Sequence, residues 1–358
     1  MSLRPTYSVA IAGAGPAGAM VVKHVPAGVG ALLIDAGDKL AGSAREKLCG
    51  GMLTVQAQRL LPELPAEVRA EPFKTRIEYH DLDNRIFGRM PVGYANCRRG
   101  ALDRWLLETA LAETKAHVEY RPRTRLLGVR EADGLLRLKL DNGEATAECL
   151  IDCTGWRAVG RWALGISPAP HLNAVQASCR MAKSHPYYIS VFHSATSPFF
   201  GWFIPKSEVE GEVGAAFAPE ARGSGEELLQ PFLEHLRNAG LALEPVRFQG
   251  CRLTHINSVR DIWLGGGRVL ACGEAAGLVS PSSGDGISYA LASGRAAALN
   301  LSGGTLDHAG YRRLLQAELA ELRRNVVKAA ILAHPLKRRL AAALLPLAHR
   351  GAYERLSL

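Results

Sequence analysis

The run YSVAIAGAGPAGAMVVKH, residues 7–24, leaves the chain few ways to fold. Apolar residues up to Ala12 read as a strand, G-A-G-P-A-G as a tight turn, and the small and apolar residues after it as a helix. ALLIDAG, residues 31–37, reads as the next strand, so the N-terminus opens on a β-α-β unit. Each glycine has its own task. Gly13 permits the turn, Gly15 lets a pyrophosphate approach the backbone, and Gly18 lets the helix pack closely on the strand. The helix start then offers N–H groups and a positive dipole end to phosphates. Asp35 ends the second strand, 22 residues after Gly13, where an acid accepts hydrogen bonds from a ribose. Together these features predict an adenine dinucleotide. A turn of purely structural purpose would not require the acid.

A second stretch decides which dinucleotide. GEAAGLVSPSSGDGISYALASGRAAA, residues 273–298, holds one acid among small residues, then Pro281, Gly284 and Gly286, then a long run of small residues. It resembles the third fingerprint, GDAA…P…G.G, of flavoproteins built like p-hydroxybenzoate hydroxylase. The resemblance implies FAD, with Glu274 holding the ribityl and pyrophosphate region and Gly284, Asp285, Gly286 and Ile287 meeting the flavin ring. Glu274 is one methylene longer than the aspartate usual there. The helix ISYALASGRAAALN would aim its positive end at the N1/C2=O edge of the ring and stabilise the anionic reduced flavin. Ala290, Ala292, Ser293 and Gly294 are expected to let that helix sit close to the Rossmann sheet. Arg99, in RRGALDRWL, matches the family arginine that contacts the cofactor, with Arg98 as the alternative. LIDCTGW, residues 150–156, is similar to the family segment usually written with DG, but Thr154 stands in place of its aspartate. Nicotinamide docking there is therefore not implied, and the reductant is left open between NAD(P)H and a protein electron donor.

Two further stretches resemble the geranylgeranyl reductase-like branch. KLCGGML, residues 47–53, is similar to its K-x-C-G-G-x-L, and FGWFIP, residues 200–205, to its Y-x-W-x-F-P, with Phe200 for Tyr and Ile204 for Phe. The resemblance implies that Gly50 and Gly51 bring backbone N–H groups to the flavin or substrate. Phe200, Trp202 and Ile204 share one face of a strand by period-two alternation, and that face is expected to line an apolar substrate cavity, with Phe203 pointing the other way. Tyr188, Phe192 and Phe217 are further lining candidates. FGWFIP also fits the flavin-halogenase W-x-W-x-I-P except at Phe200, so monooxygenase or halogenase chemistry stays open beside reductase chemistry. An FAD-bearing protein that acts by binding is a third reading. No catalytic residue is fixed; Cys49 and Trp202 are candidates, an inert thiol and a core tryptophan being the alternatives. His24, His193 and His255 read as structural or exposed.

The remainder of the chain sets boundaries. The expected fold class is α/β: a Rossmann-type FAD-binding domain, an antiparallel β-sheet substrate domain and a helical C-terminal tail. The FAD domain is drawn from 1–75, 96–171 and 255–305, the substrate domain from 76–95 and 172–254, and the tail from 306–358. HVEYR to ECLID, residues 117–152, reads as a β-meander with turns at ADG and DNG. Seven scattered cysteines without metal-ligand spacing predict reduced thiols, a cytoplasmic setting and no metal. No apolar run suits a membrane span. Of the net charge of +9, the segment from Arg312 onward contributes +7, from ten Lys/Arg and three Glu. Nucleic acid is not an expected partner. Leu336, Leu340, Leu344 and Leu347, beside Lys337, Arg338 and Arg339, suggest peripheral contact with the inner face of a membrane through a short pair of helices interrupted at Pro335 and Pro346. An apolar small molecule is the expected substrate.

Overall fold

A computed structural model of the chain describes residues 6–41, 47–71, 75–348 and 352–357. The chain divides into two compact units. The first comprises 1–47, 100–170 and 254–324, and the second 48–99, 171–253 and 325–358. Residues 48–75 and 96–99, drawn into the FAD domain from sequence, fall in the second unit, and the tail is shared between the units at Arg324.

The first unit is built on a sheet whose order runs Gly265–Gly266, Val269–Ala271, Gly143–Asp152, Thr6–Ala12, Gly30–Ile34, His117–Arg121. Five of these strands are parallel, and the inner ones are apolar and buried where they pair: Val9, Ile11, Leu32, Leu33, Leu150 and Ile151 have no measurable exposure. Such near-continuous apolar runs are what a sheet covered on both faces demands. The meander expected over 117–152 is only partly formed. Leu126–Ala132, Leu135–Leu140 and Gly143–Asp152 are antiparallel neighbours, whereas His117–Arg121 pairs parallel with Gly30–Ile34. Tyr120 stands opposite Leu33, in a register that no local turn specifies.

The helix Ile287–Leu299 packs on the helix Pro16–His24 and against Gly273 at the end of the strand Val269–Ala271. A Cβ on Gly294 would stand 2.2 Å from the carbonyl oxygen of Ala17, so Gly294 is a helix-to-helix contact, while Ala290 lies against Gly273 just beyond that strand. Serine contributes as well: Ser293 Oγ accepts from Gly273 N at 2.8 Å and donates to Tyr289 O at 2.6 Å.

The second unit holds an eight-stranded sheet in the order Leu243–Thr254, His171–Met181, Glu210–Phe217, Gly201–Pro205, Tyr188–Phe192, Arg76–Asp81, Ile86–Pro91, Glu354–Arg355. From His171–Met181 to Glu354–Arg355 the neighbours are antiparallel except where Tyr188–Phe192 runs parallel to Arg76–Asp81, a pairing the expected antiparallel sheet lacked. The helix Gly225–Asn238 covers one face. Ser224 and Glu227 form its capping box, and Leu229, Phe232, Leu233 and Leu236 are its buried side. Alternation sends Val175, Ile189, Phe203, Val213 and Phe217 to that helix. Phe192, Phe200, Trp202 and Ala216 go to the opposite face. The tail is not helical to its end, because Glu354–Arg355 returns as an edge strand beside Ile86–Pro91.

Candidate cofactor site

The parallel strands of the first unit end together. Ala12 stands opposite both Ile34 and Asp152, and Asp152 opposite Ala271. From this one edge emerge the turn beginning at Gly13, then Asp35, then Thr154 and Gly155, then Gly273 and Glu274. Ligands of open α/β sheets lie in the crevice outside such carboxyl ends.

The three glycines of the turn differ in what surrounds them. Gly13 has φ +101°, and a Cβ there would sit 2.3 Å from Cys153 O. A Cβ on Gly18 would sit 1.8 Å from Gly13 O, so this glycine lets the helix close onto the turn. Gly15 faces open space, with nothing within 4 Å of a built Cβ. It begins the helix Pro16–His24, which has no side-chain cap and no acid in its first turn. A void at an uncapped helix start fits a pyrophosphate, whose oxygens would take the place of a side chain and accept from the backbone. Asp35 is half-buried, and its carboxylate accepts from Ala14 N at 2.7 Å and Gly37 N at 2.8 Å. A carboxylate offers about four acceptor positions, so these two bonds orient Asp35 and leave capacity for ribose hydroxyls.

Glu274 is 8% exposed, in the single turn Gly273–Ala276. Its Oε1 accepts from Thr254 N at 3.2 Å, and its Oε2 is paired with Lys47. Gly155, at φ +66°, lies so close that a Cβ would be 3.3 Å from Oε2. The added methylene of Glu274 thus carries the carboxylate to a lysine 227 residues away. Sequence reasoning saw Lys47 only as part of the K-x-C-G-G match. It missed Asp152 altogether: this fully buried acid accepts from Thr154 N, Thr154 Oγ1 and Gly160 N at 2.9, 2.6 and 2.6 Å. Burial raises the Asp152 pKa against these bonds. Thr154, the substitute for the family aspartate, is a local cap: its hydroxyl also accepts from Val159 N at 3.1 Å.

The expectation for the helix Ile287–Leu299 needs correction. Asp285 Oδ1 accepts from Ile287 N at 3.0 Å and Ser288 N at 3.3 Å, and Oδ2 accepts from Ser288 Oγ at 2.6 Å. The acid therefore occupies first-turn donors assigned to stabilising an anionic flavin, and its charge offsets the positive helix end. The loop before it is closed by Ser280 N to Asp285 O at 2.8 Å and Gly284 N to Ser280 O at 2.9 Å, with Gly284 at φ +70°. Gly286 is the residue preceding the helix, at φ −126°.

Among the second unit's candidates, Gly50, Gly51 and Ile204 come together. A Cβ on Gly50 would strike Ile204 Cδ1 at 2.1 Å, and one on Gly51, at φ +65°, would strike Cys97 O at 2.2 Å. Cys49 is half-buried, and its Sγ accepts from Gly51 N at 3.4 Å. Lys206, not singled out from sequence, donates to Gly50 O, Asn96 Oδ1 and Cys97 O while only 7% exposed. It directly follows FGWFIP, which is the one signal that could have found it. Phe200 and Trp202 lie on the sheet face away from the helix, 6.3 Å apart edge-on, and Trp202 Nε1 donates to Gln176 Oε1 at 3.1 Å. The indole rests over Gly214, where a Cβ would be 2.4 Å from the ring. Phe192 belongs to the same aromatic face, while Phe217 points to the helix. Arg99 begins the helix Arg99–Glu113 and is buried; Arg98 is half-exposed and donates to Lys206 O at 3.1 Å. Both arginines belong to the second unit, and the glycine turn belongs to the first.

No protein-family model matches the chain. Protein CbrA of Escherichia coli O139:H28 is 26% identical over 294 residues, which is 80% of this chain and 81% of that protein. Among solved structures, a geranylgeranyl bacteriochlorophyll reductase-like protein from Thermoplasma acidophilum matches with a TM-score of 0.79 at 19% identity, over 97% of this chain and 92% of its own. The p-nitrophenol 4-monooxygenase PnpA from Pseudomonas putida DLL-E4 gives 0.69 at 14% identity, over 98% and 95%. The flavin-dependent brominase Bmp2 gives 0.66 at 16%, over 97% and 96%. The chain shares its fold with these three structures, one reductase-like, one a monooxygenase and one a brominase.

Proposed function

We propose that this chain is an FAD-dependent oxidoreductase of the geranylgeranyl reductase-like kind, reducing an apolar substrate of isoprenoid or specialised-metabolite character. The observation that carries the reading is the void at Gly15, set at an uncapped helix start between strand ends that also deliver Asp35 and Glu274. FAD, when bound, supplies reversible hydride transfer. The chain's own work is to hold and orient. Gly13, Gly15 and the first turn of Pro16–His24 take the pyrophosphate, and Asp35 accepts from ribose hydroxyls. Glu274, held in place by Thr254 N and Lys47, is the acceptor for the ribityl region. Arg99 is a further cofactor contact, and Gly284, Asp285, Gly286 and Ile287 approach the ring. In the second unit, Gly50, Gly51, Phe200, Trp202 and Ile204 receive the substrate, and the aromatic face keeps water from it. The reductant is NAD(P)H or a protein donor. The chain has no second G-x-G-x-x-G to hold a nicotinamide dinucleotide permanently.

A monooxygenase or halogenase reading is favoured by one observation, the FGWFIP stretch shared in part with halogenases, alongside the fold likeness to Bmp2. Halogenase chemistry needs a lysine lining the path to substrate. The two lysines beside the candidate motifs are otherwise engaged, Lys47 with Glu274 and Lys206 with three carbonyl oxygens. That supports the reductase reading.

Anaerobic photoreduction of the purified protein, followed by rapid mixing with oxygen, separates the readings. Reoxidation in a single phase is expected of a reductase. A distinct, long-lived absorbing phase overturns it in favour of oxygen-activating chemistry. Failure of the reduced protein to turn over any apolar alkene offered would leave a binding protein. Trp202→Ala should abolish turnover while FAD content and spectrum stay near wild type. A variant that unfolds, yet whose folded fraction turns over normally, would reduce Trp202 to packing.

A further inference from the structure

The helix Pro335–Ala348 is turned inside out. Pro335 is its first residue and does not interrupt it, so Leu336, Leu340 and Leu344 share one helix. The side chain of Leu347 lies outside the described residues. At four-residue spacing the three leucines form one row, about 12 Å long at the helical rise. They are 64%, 72% and 61% exposed, with Lys337 and Arg339 exposed beside them. The arginine between these two points the other way. Arg338 is 2% exposed and donates to Asp81 Oδ2 at 3.0 Å and Leu332 O at 2.6 Å, and it also pairs with Asp83. Its guanidinium lies 5.3 Å from the Phe192 ring centroid, and Ala342, one turn on, is buried with it. Two acids of the second unit thus fix the rotation of the helix with its arginine inward and its leucines outward.

An amphipathic helix on a water-soluble surface normally does the reverse. We propose that this face lies on an anionic phospholipid surface, with the leucines in the acyl boundary and Lys337 and Arg339 at the headgroups. Charge complementarity favours this occupant. The helix carries no acid, and the segment from Arg312 onward holds +7 of the chain's +9. A second copy of the chain would set the same cations against each other across a twofold axis. The three leucines would also bury only on the order of 350 Å², under half of the roughly 800 Å² per partner of a standard interface. An interfacial helix has no such area requirement, because apolar insertion and charge act together.

The test is flotation of the full-length, FAD-loaded protein with vesicles of phosphatidylglycerol and phosphatidylcholine, or of phosphatidylcholine alone. Binding is expected only to the anionic vesicles, strongest at low salt. Lys337→Glu with Arg339→Glu should weaken it at least about twentyfold, removal of each cation alone being worth about fivefold. The triple variant Leu336→Ser, Leu340→Ser, Leu344→Ser should abolish it with FAD content and melting temperature retained. Failure of the wild type to float at low salt overturns the proposal. So does equal binding to neutral vesicles, or undiminished binding of the triple variant. A wild-type dimer by sedimentation that becomes a monomer in the triple variant also overturns it, and assigns the face to a second copy. None of these readouts depends on the flavin reaction.

Discussion

Lys206 Nζ lies 2.6 Å from the carbonyl oxygen of Gly50, and the same ammonium reaches Asn96 Oδ1 and Cys97 O at 2.9 Å each. Three donors meet three acceptors, so a buried charge ties Gly50 of the Cys49-Gly50-Gly51 loop to Asn96 and Cys97. Lys206→Met removes all three bonds and leaves the acceptors dry. Urea unfolding should show a loss of about 3 kcal/mol. Alkylation of Cys49, followed on its own peptide by mass spectrometry, should speed up about tenfold as the loop opens locally. Unchanged alkylation would mean that Ile204 and Cys97 hold the loop without the lysine.

The glycines of the turn predict opposite failures. Gly15→Glu places its side chain in open space, so the protein should fold with a melting temperature within a few degrees of wild type. It should purify without FAD, because the carboxylate fills and repels the pyrophosphate position. Gly18→Ala drives a methyl into Gly13 O and should lower stability by several kcal/mol. Absorbance of released flavin, read beside a melting curve, separates the two. A folded, yellow Gly15→Glu protein would remove the pyrophosphate assignment.

Asp285 places a negative charge at the start of the helix Ile287–Leu299. Asp285→Asn keeps an acceptor for Ile287 N and Ser288 N and removes the charge. If the flavin ring lies at this helix end, reduction should become easier by about 20–40 mV, equivalent to ~1–2 kcal/mol for a two-electron couple. Xanthine oxidase-coupled dye titration measures it. A potential that does not move would put the ring elsewhere.

His80 Nδ1 and His235 Nε2 stand 2.9 Å apart, within hydrogen-bond reach. Burial, followed by the charges of His80 and His193, lowers the His235 pKa to about 4. An unfolded histidine titrates near 6.5, so between these values the unfolded chain binds the extra proton and the folded chain does not. Stability is therefore complete above about pH 6.5 and falls as the pH drops toward 4, by roughly 3 kcal/mol at most. His235→Gln should flatten that decline in melting temperature between pH 7 and 5. An equally steep decline in the variant would assign the acid sensitivity to other groups.

What could be read from the chain alone follows from how local each constraint is. Gly13, Gly18 and Asp35 are legible because a turn, a close approach and a strand end are settled within thirty residues. Phe200, Trp202 and Phe203 were assigned to opposite faces by alternation alone, and the sheet keeps that alternation. The parallel partner of His117–Arg121 was not legible, since nothing in its own residues distinguishes a third antiparallel neighbour from Gly30–Ile34. Nor was the pairing of Lys47 with Glu274, or of Arg338 with Asp81, which lies 257 residues away. Asp285 was recognised as part of a fingerprint, but its side-chain rotamer, which changes the charge at the helix start, is set only in the folded loop.

Gly294 touching Ala17 has a consequence for the order of events in the cell. The ribosome delivers the Gly13–Gly18 turn before the Ile287–Leu299 helix that braces it, with the strands from His171 to Leu253 made in between. Until that late helix emerges, Glu274 has no fixed position and the early helix has an uncovered side. A nascent chain stopped before Val269 would lack the strand that carries Glu274. Cofactor loading therefore waits on the Ile287–Leu299 helix, and a shortage of flavin would leave a folded chain with an unfilled site, open to proteases, rather than stall one in the making.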